Sequence, residues 1–277
     1  MFDDLNIDTG NQVIVDRLQQ NEPFCVARLA GALSTISMSV DRRINPDVQS
    51  VCDAITNDGM YHNNSTELLQ LIEKYISGIR SADYLACFSE LVVEEQKYFL
   101  DKFEHIKTIH NRSLEPFYTD QTPWTKELND RKVLVVSSHT SSFSVQIANN
   151  NLPAMWAQDQ QFELYKSYNT LANNRPHNSC LETLDVMKND ISKLNFDVAI
   201  LGCGGYGLML CDHIKHELKK SCIYIGGSLQ LLFGVLGRRW VSNALVRDKL
   251  NNFNNFIFPV DQDKIDNFET IEFGCYW

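Results

Sequence analysis

Short apolar runs without polar alternation recur along the chain, and each is followed by small or glycine residues and then by apolar positions at helical spacing. Runs of this kind predict strands covered on both faces, which are usually parallel. They fall at 24–29, 83–88, 132–136, 162–167, 197–201 and 222–225. Between them, apolar residues at i, i+3 and i+4 predict helices at 11–20, 61–78 and 181–194. The stripe Gly207, Cys211, Ile214 and Leu218 predicts another, closed by Lys219 and Lys220, where cations suit the negative end of a helix dipole. The segment LSTISM, after Ala30-Gly31-Ala32, predicts a helix, and the charged stretch 90–109 reads as a further one with a solvated face. Ser228 is placed to cap a helix running to about Gly237. Pro and polar residues at 116–129 and 173–179 mark connectors, and the aromatic end 273–277 is expected to pack back onto the body.

This alternation predicts an α/β, Rossmann-like fold: one domain over 1–277, with a mostly parallel sheet of about six strands and helices on both faces. Parallel strands bring their C-terminal ends to one edge, where ligands of open α/β sheets bind. Two successive strands here end in glycine turns, Gly202-Cys203-Gly204-Gly205-Tyr206-Gly207 and Gly226-Gly227-Ser228. Glycine lets backbone N–H groups and helix N-termini come close to an anion. The first turn also fits G-x-G-x-x-G. A dinucleotide site wants an acidic residue after the next strand, where this chain has Tyr224, Ile225 and Gly226, so the NAD match is coincidental. The same missing carboxylate weighs against S-adenosylmethionine and a methyltransferase. A third turn, Ser137 to Ser142, presents hydroxyls, Ser138 among them, and His139, which can act as acid or base near neutrality.

Strand, G-C-G-x-Y-G, helix, strand, G-G-x-x-Q-L-L-F-G and G-R-R-W, over 196–240, resemble a family of bacterial and viral proteins of surface-polysaccharide synthesis. That family is similar to the GT-D-type glycosyltransferases, and weaker likeness extends to 24–39, 123–146 and 274–277. The resemblance implies transfer of a sugar from a nucleotide-diphosphate sugar, UDP-type, to a glycan or polysaccharide acceptor. In GT-D relatives the first strand-to-helix turn reads roughly R-x-x-G-x-E. Arg28 and Gly31 keep that pattern and Leu33 replaces its acid. Without that carboxylate the expectation is donor binding that needs no cofactor and no Mn²⁺ or Mg²⁺, with Arg28 and Arg238 or Arg239 balancing the diphosphate. Tyr206 or Trp240 would stack on base or sugar. Glu90 and His139, each following a strand end, are the candidate catalytic bases. A non-catalytic nucleotide-sugar or glycan-binding protein on the same fold is the alternative.

Composition narrows the partners. A net charge of −10, with no long basic cluster, excludes a nucleic-acid backbone as the expected ligand. No apolar run approaches the ~20 residues of a membrane helix, and the polar, acidic first ten residues do not read as a secretory signal. A cytoplasmic protein is expected. Eight cysteines contain no C-x-x-C pair, which predicts reduced, structural thiols. His213, His216 and Glu217 have ligand-like spacing on the polar side of their helix, and are read as a solvated face rather than a zinc site.

Overall fold

A computed structural model describes residues 2 and 4–277 of the chain. Seven strands form one all-parallel sheet: β1 (Cys25–Ala27), β2 (Tyr84–Cys87), β3 (Lys107–His110), β4 (Lys132–Ser137), β5 (Gln161–Lys166), β6 (Val198–Gly202) and β7 (Ser221–Tyr224). Their spatial order is β3-β2-β1-β7-β6-β4-β5. The Rossmann-like parallel α/β fold expected from the apolar runs is therefore present, with one strand more than expected. That strand, β3, begins inside 90–109, where a single helix was expected, and runs on to His110. Helix α5 (Val93–Lys102) ends at Phe103, and β3 then pairs with β2 at the sheet edge. Only Ile109 of β3 is buried, so the apolar run that marks a doubly covered strand is missing.

The strand period of two divides the apolar residues between two cores. Cys25, Ala27, Leu134, Val136, Ala199, Leu201, Cys222 and Tyr224 enter one core. Val26, Val133, Val135, Val198, Ile200 and Ile223 enter the other. The first core is closed by α2 (Gly31–Asp41), α3 (Val48–Thr56), α4 (Ser65–Arg80), α7 (Cys180–Ile191) and α8 (Tyr206–His216), together with α5. The second is closed by α1 (Ile7–Gln19), α6 (Thr140–Ala148) and the one-turn α9 (Leu229–Leu232).

Local signals explain most helix limits. Asn64 accepts the Glu67 amide at 3.0 Å while Glu67 accepts the Asn63 amide at 2.8 Å, so α4 starts later than the periodicity from 61 suggests. Ser179 caps α7 through the Glu182 amide. Ser228 does not cap: its backbone is already helical and its side chain makes no capping bond. The helix expected there stops after one turn because Gly234 takes a left-handed φ of 67°. Two short helices follow, α10 (Arg238–Val241) and α11 (Ala244–Lys249).

The connections decide where a crevice opens. From β1 and β6 the chain turns towards the first core, through α2 and α8; from β7 and β4 it turns towards the second, through α9 and α6. Neighbouring strands whose loops leave to opposite faces leave a gap at their C-terminal ends. Here four adjacent strands, β1-β7-β6-β4, alternate in this way.

Candidate functional site

A cleft of about 310 Å³ occupies that gap. The ends of all four strands contribute to it: Arg28, Ala30 and Gly31 after β1, Gly226, Gly227 and Ser228 after β7, Gly202, Cys203 and Gly204 from β6, and Ser138 and His139 after β4. The turns singled out in the sequence thus meet in one place. Arg239, Trp240 and Tyr276 add a wall from the C-terminal third.

Several of the expected site residues lie elsewhere. Buried Gln96 clasps the backbone of Phe88, accepting its N–H at 2.7 Å and donating to its carbonyl at 2.9 Å. This turns Phe88 into the cleft and leaves Glu90 exposed and outside it. Tyr206 is buried under the first turn of α8, away from the cleft lining, so it offers no face to a base or sugar. Gly205 is also off the lining; its amide donates to the Asp58 carbonyl at 3.0 Å. Arg238 is exposed outside the cleft and donates to the Phe273 carbonyl at 3.3 Å. Arg239 does line it, paired with Glu272 at 2.8 Å and stacked 4.1 Å from the Tyr276 ring centroid.

Glycine is required here largely by contacts within the protein. A Cβ on Gly207 would fall 2.2 Å from the Tyr224 ring, and one on Gly202 would fall 2.7 Å from the Gly226 carbonyl. Gly204 takes a left-handed φ of 59° and its carbonyl accepts the Tyr224 hydroxyl at 2.8 Å. A Cβ on Gly227 would reach Tyr276 at 2.4 Å. Gly31 differs, because among the described residues nothing beyond its own chain neighbours and helix backbone lies within 4 Å of where its Cβ would be.

Charge in the cleft is arranged around Arg28. Its guanidinium lies 4.7 Å from the Phe88 ring centroid and runs past Gly226, where a Cβ would fall 3.1 Å from it. Among the described residues it has no salt-bridge partner within 4 Å. Two carboxylates that were not expected share the cleft with it, Asp58 and Glu115. Asp58 Oδ2 accepts the Leu33 amide at 2.7 Å, in the first turn of α2, where Ala30 provides no side-chain cap. Desolvation pushes the Asp58 carboxyl up to about 6, against the pull of the Leu33 amide and of Arg28. Burial likewise raises Glu115, opposed by Ser228, Arg28 and Arg112. Asn57-Asp58-Gly59 is a turn signature, but no spacing in the sequence brings it to the N-terminus of α2. Glu115 precedes Pro116 in a connector and carries no signal of its own.

The third turn is partly filled by the protein itself. Asp263, buried, accepts the Ser142 amide at 2.7 Å, the Ser142 hydroxyl at 2.6 Å and the Ser141 amide at 3.3 Å, and pairs with Lys166 at 3.0 Å. Burial raises this carboxyl, but the Ser142 and Lys166 contacts outweigh it and leave the group below its ordinary value. The positive end of α6 is therefore neutralised from within. His139 is 7% exposed, and burial holds its imidazole down to about 4, so it is neutral at physiological pH. Among the described residues its Nε2 is buried without a partner, as are Ser167 Oγ and Gln230 Oε1, all on cleft-lining residues. Buried polar atoms without partners carry a penalty that a polar ligand or water would remove.

Away from the cleft, Cys25, Cys211 and Cys222 place their sulfurs within 4.8 Å of one another in the first core, each fully buried. Three thiols suit a soft metal, but among the described residues the cluster contains no fourth ligand group, and it lies sealed beneath α8. All eight cysteines are free. His213 Nε2 meets Ser192 Oγ at 2.9 Å and His216 Nε2 lies 3.9 Å from Asp212, so the two histidines engage different neighbours. Among the described residues no helix is long and apolar enough to cross a membrane. Comparisons with protein-family models, curated proteins and solved structures return no match.

Proposed function

We propose that the protein is a glycosyltransferase taking a nucleoside-diphosphate sugar of UDP type as donor and a glycan as acceptor. One observation carries the reading: Arg28, free of any salt bridge among the described residues, sits where four strand ends meet, in a cleft walled by buried polar atoms that lack partners. A guanidinium recognises a diphosphate through paired, charge-assisted hydrogen bonds. Gly31, the first residue of α2, brings that helix's N-terminal backbone to the same side, next to the Leu33 amide that Asp58 already takes. The wall of His139, Ser138, Ser167 and Asn169 offers uncharged donors and acceptors suited to sugar hydroxyls. The motif resemblance over 196–240 supports the same substrate class.

A second reading, a binding protein without transfer, is favoured by a separate observation. Gly202, Gly205 and Gly207 answer to packing against Gly226, Met60 and Tyr224, and the α6 N-terminus already holds Asp263. A methyltransferase has less support, since β7 runs into Ile225 and Gly226 without a carboxylate for a ribose.

Thermal-shift and calorimetric titration with UDP, UDP-sugars, S-adenosylmethionine and NAD separate these readings, because a bound ligand raises stability by mass action. UDP-sugar binding with sugar transfer, retained in EDTA, is the expected result. Transfer abolished by EDTA and restored by Mn²⁺ would assign the cleft carboxylates to a cation. Binding without transfer would favour the second reading, and stabilisation by S-adenosylmethionine or NAD alone would replace both.

A further inference from the structure

Resting on the donor reading above, we propose that Asp58 is the general base of the transfer, taking the proton of the acceptor hydroxyl on its Oδ1. In this step the acceptor oxygen forms a bond to the anomeric carbon of the donor sugar. The bond from that carbon to the diphosphate oxygen breaks, and its electron pair leaves with the diphosphate. The hydroxyl proton passes to Asp58, so charge and atoms balance without a further reactant.

A base must be fixed in place, have a free oxygen and lie in the cleft where the substrates meet. Asp58 meets each requirement. Its Oδ2 is held by the Leu33 amide at 2.7 Å and its carbonyl by the Gly205 amide at 3.0 Å, so it is anchored both to α2 and to the turn after β6. Among the described residues Oδ1 has no hydrogen-bond partner, and it is not among the oxygens sealed from solvent. Arg28, the proposed diphosphate ligand, lies close enough to lower the Asp58 pKa. Neighbouring Gly59, with φ 75°, packs against Thr170, which clips the Asp58 turn to a third wall of the cleft.

The rival groups fit less well. Glu90 lies outside the cleft. His139 stays neutral but is a weak base, held near 4 by burial. Glu115 lines the cleft, but among the described residues no backbone amide pins its side-chain oxygens, as the Leu33 amide pins Asp58 Oδ2. At Asp58, desolvation sets the carboxyl near 6, so it is ionised at neutral pH and still basic enough to accept a proton.

The test compares wild type, Asp58→Asn and Glu115→Gln for UDP affinity by calorimetry. It also follows UDP release from UDP-glucose, UDP-galactose and UDP-N-acetylglucosamine, with water as acceptor, from pH 5 to 8. Asparagine can still accept the Leu33 amide, so the fold should persist; Asp58→Ser, which can cap a helix but not act as a base, is the second variant. The expected result is UDP affinity unchanged or tighter in Asp58→Asn and release slower by roughly a hundredfold or more. The wild-type fall in rate below pH 6 should vanish in this variant and persist in Glu115→Gln. Wild-type release by Asp58→Asn or Asp58→Ser overturns the assignment, as does a pH limb that disappears with Glu115→Gln. A wild type that binds UDP but never releases it from UDP-sugars overturns the assignment and leaves donor binding standing. A wild type that neither binds nor cleaves these compounds overturns the donor reading, and the base assignment with it.

Discussion

Asp58 Oδ2 accepts the backbone N–H of Leu33 at 2.7 Å, across 25 residues of chain. Leu33 is the position at which the resembling family carries an acid, and its own side chain is fully buried. A carboxylate thus reaches the N-terminus of α2 from the loop after α3, where it does the work of the cap that Ala30 cannot provide. Losing such a cap costs about 0.5–2 kcal/mol. Asp58→Ala should lower stability by that amount in urea denaturation, and Asp58→Asn by much less. Equal losses in the two variants would show that charge, not capping, holds the loop.

The pH dependence of stability separates Asp58 from His139. Asp58 has a folded pKa of about 6 against an ordinary 3.8, so the folded state binds more protons between those values. Its contribution is fully present below 3.8 and is lost as pH rises through 6. His139 falls from 6.5 to about 4 on folding, so its contribution is present above 6.5 and is lost as pH falls through 4. The two slopes oppose one another between pH 4 and 6. Relative to wild type, Asp58→Asn should therefore gain stability as pH rises through this window, and His139→Gln should lose it. Parallel profiles for all three proteins would contradict these titrations.

Arg28→Ala removes the cation proposed to meet the diphosphate. A hydrogen bond to a charged group is worth about 1.5–3 kcal/mol, or roughly ten- to a hundredfold in affinity. UDP binding measured by calorimetry should weaken by that factor. Thermal stability should change little, because Arg28 stacks on Phe88 and has no ion pair among the described residues. Unchanged UDP affinity would remove Arg28 from the site.

Of the eight cysteines, Cys52 alone is exposed and seven are buried. A thiol must reach solvent to react. The native protein should therefore show one fast thiol towards a water-soluble disulfide reagent, and the remaining seven only in denaturant. Fast reaction of Cys25, Cys211 or Cys222 would reveal opening of the first core beneath α8.

The sequence by itself determined the class of fold. Six of the seven strands are doubly covered or long enough to leave apolar runs, and parallel strands must then carry their turns to a common edge. That is why the sequence alone places Arg28, Ser138, His139, Gly202 and Gly226 together. Edge strand β3 left no such run, because one buried residue is no pattern. Tertiary structure alone decided the chemistry inside the cleft. Which side of a turn faces the ligand depends on distant partners: Gln96 turns Glu90 outward, Tyr224 claims Gly207, and Asp263 fills the α6 N-terminus. Asp58 and Glu115 enter from loops whose positions are set by packing over many residues. Period and composition report what is buried, and contacts between residues far apart in the chain leave no trace in either.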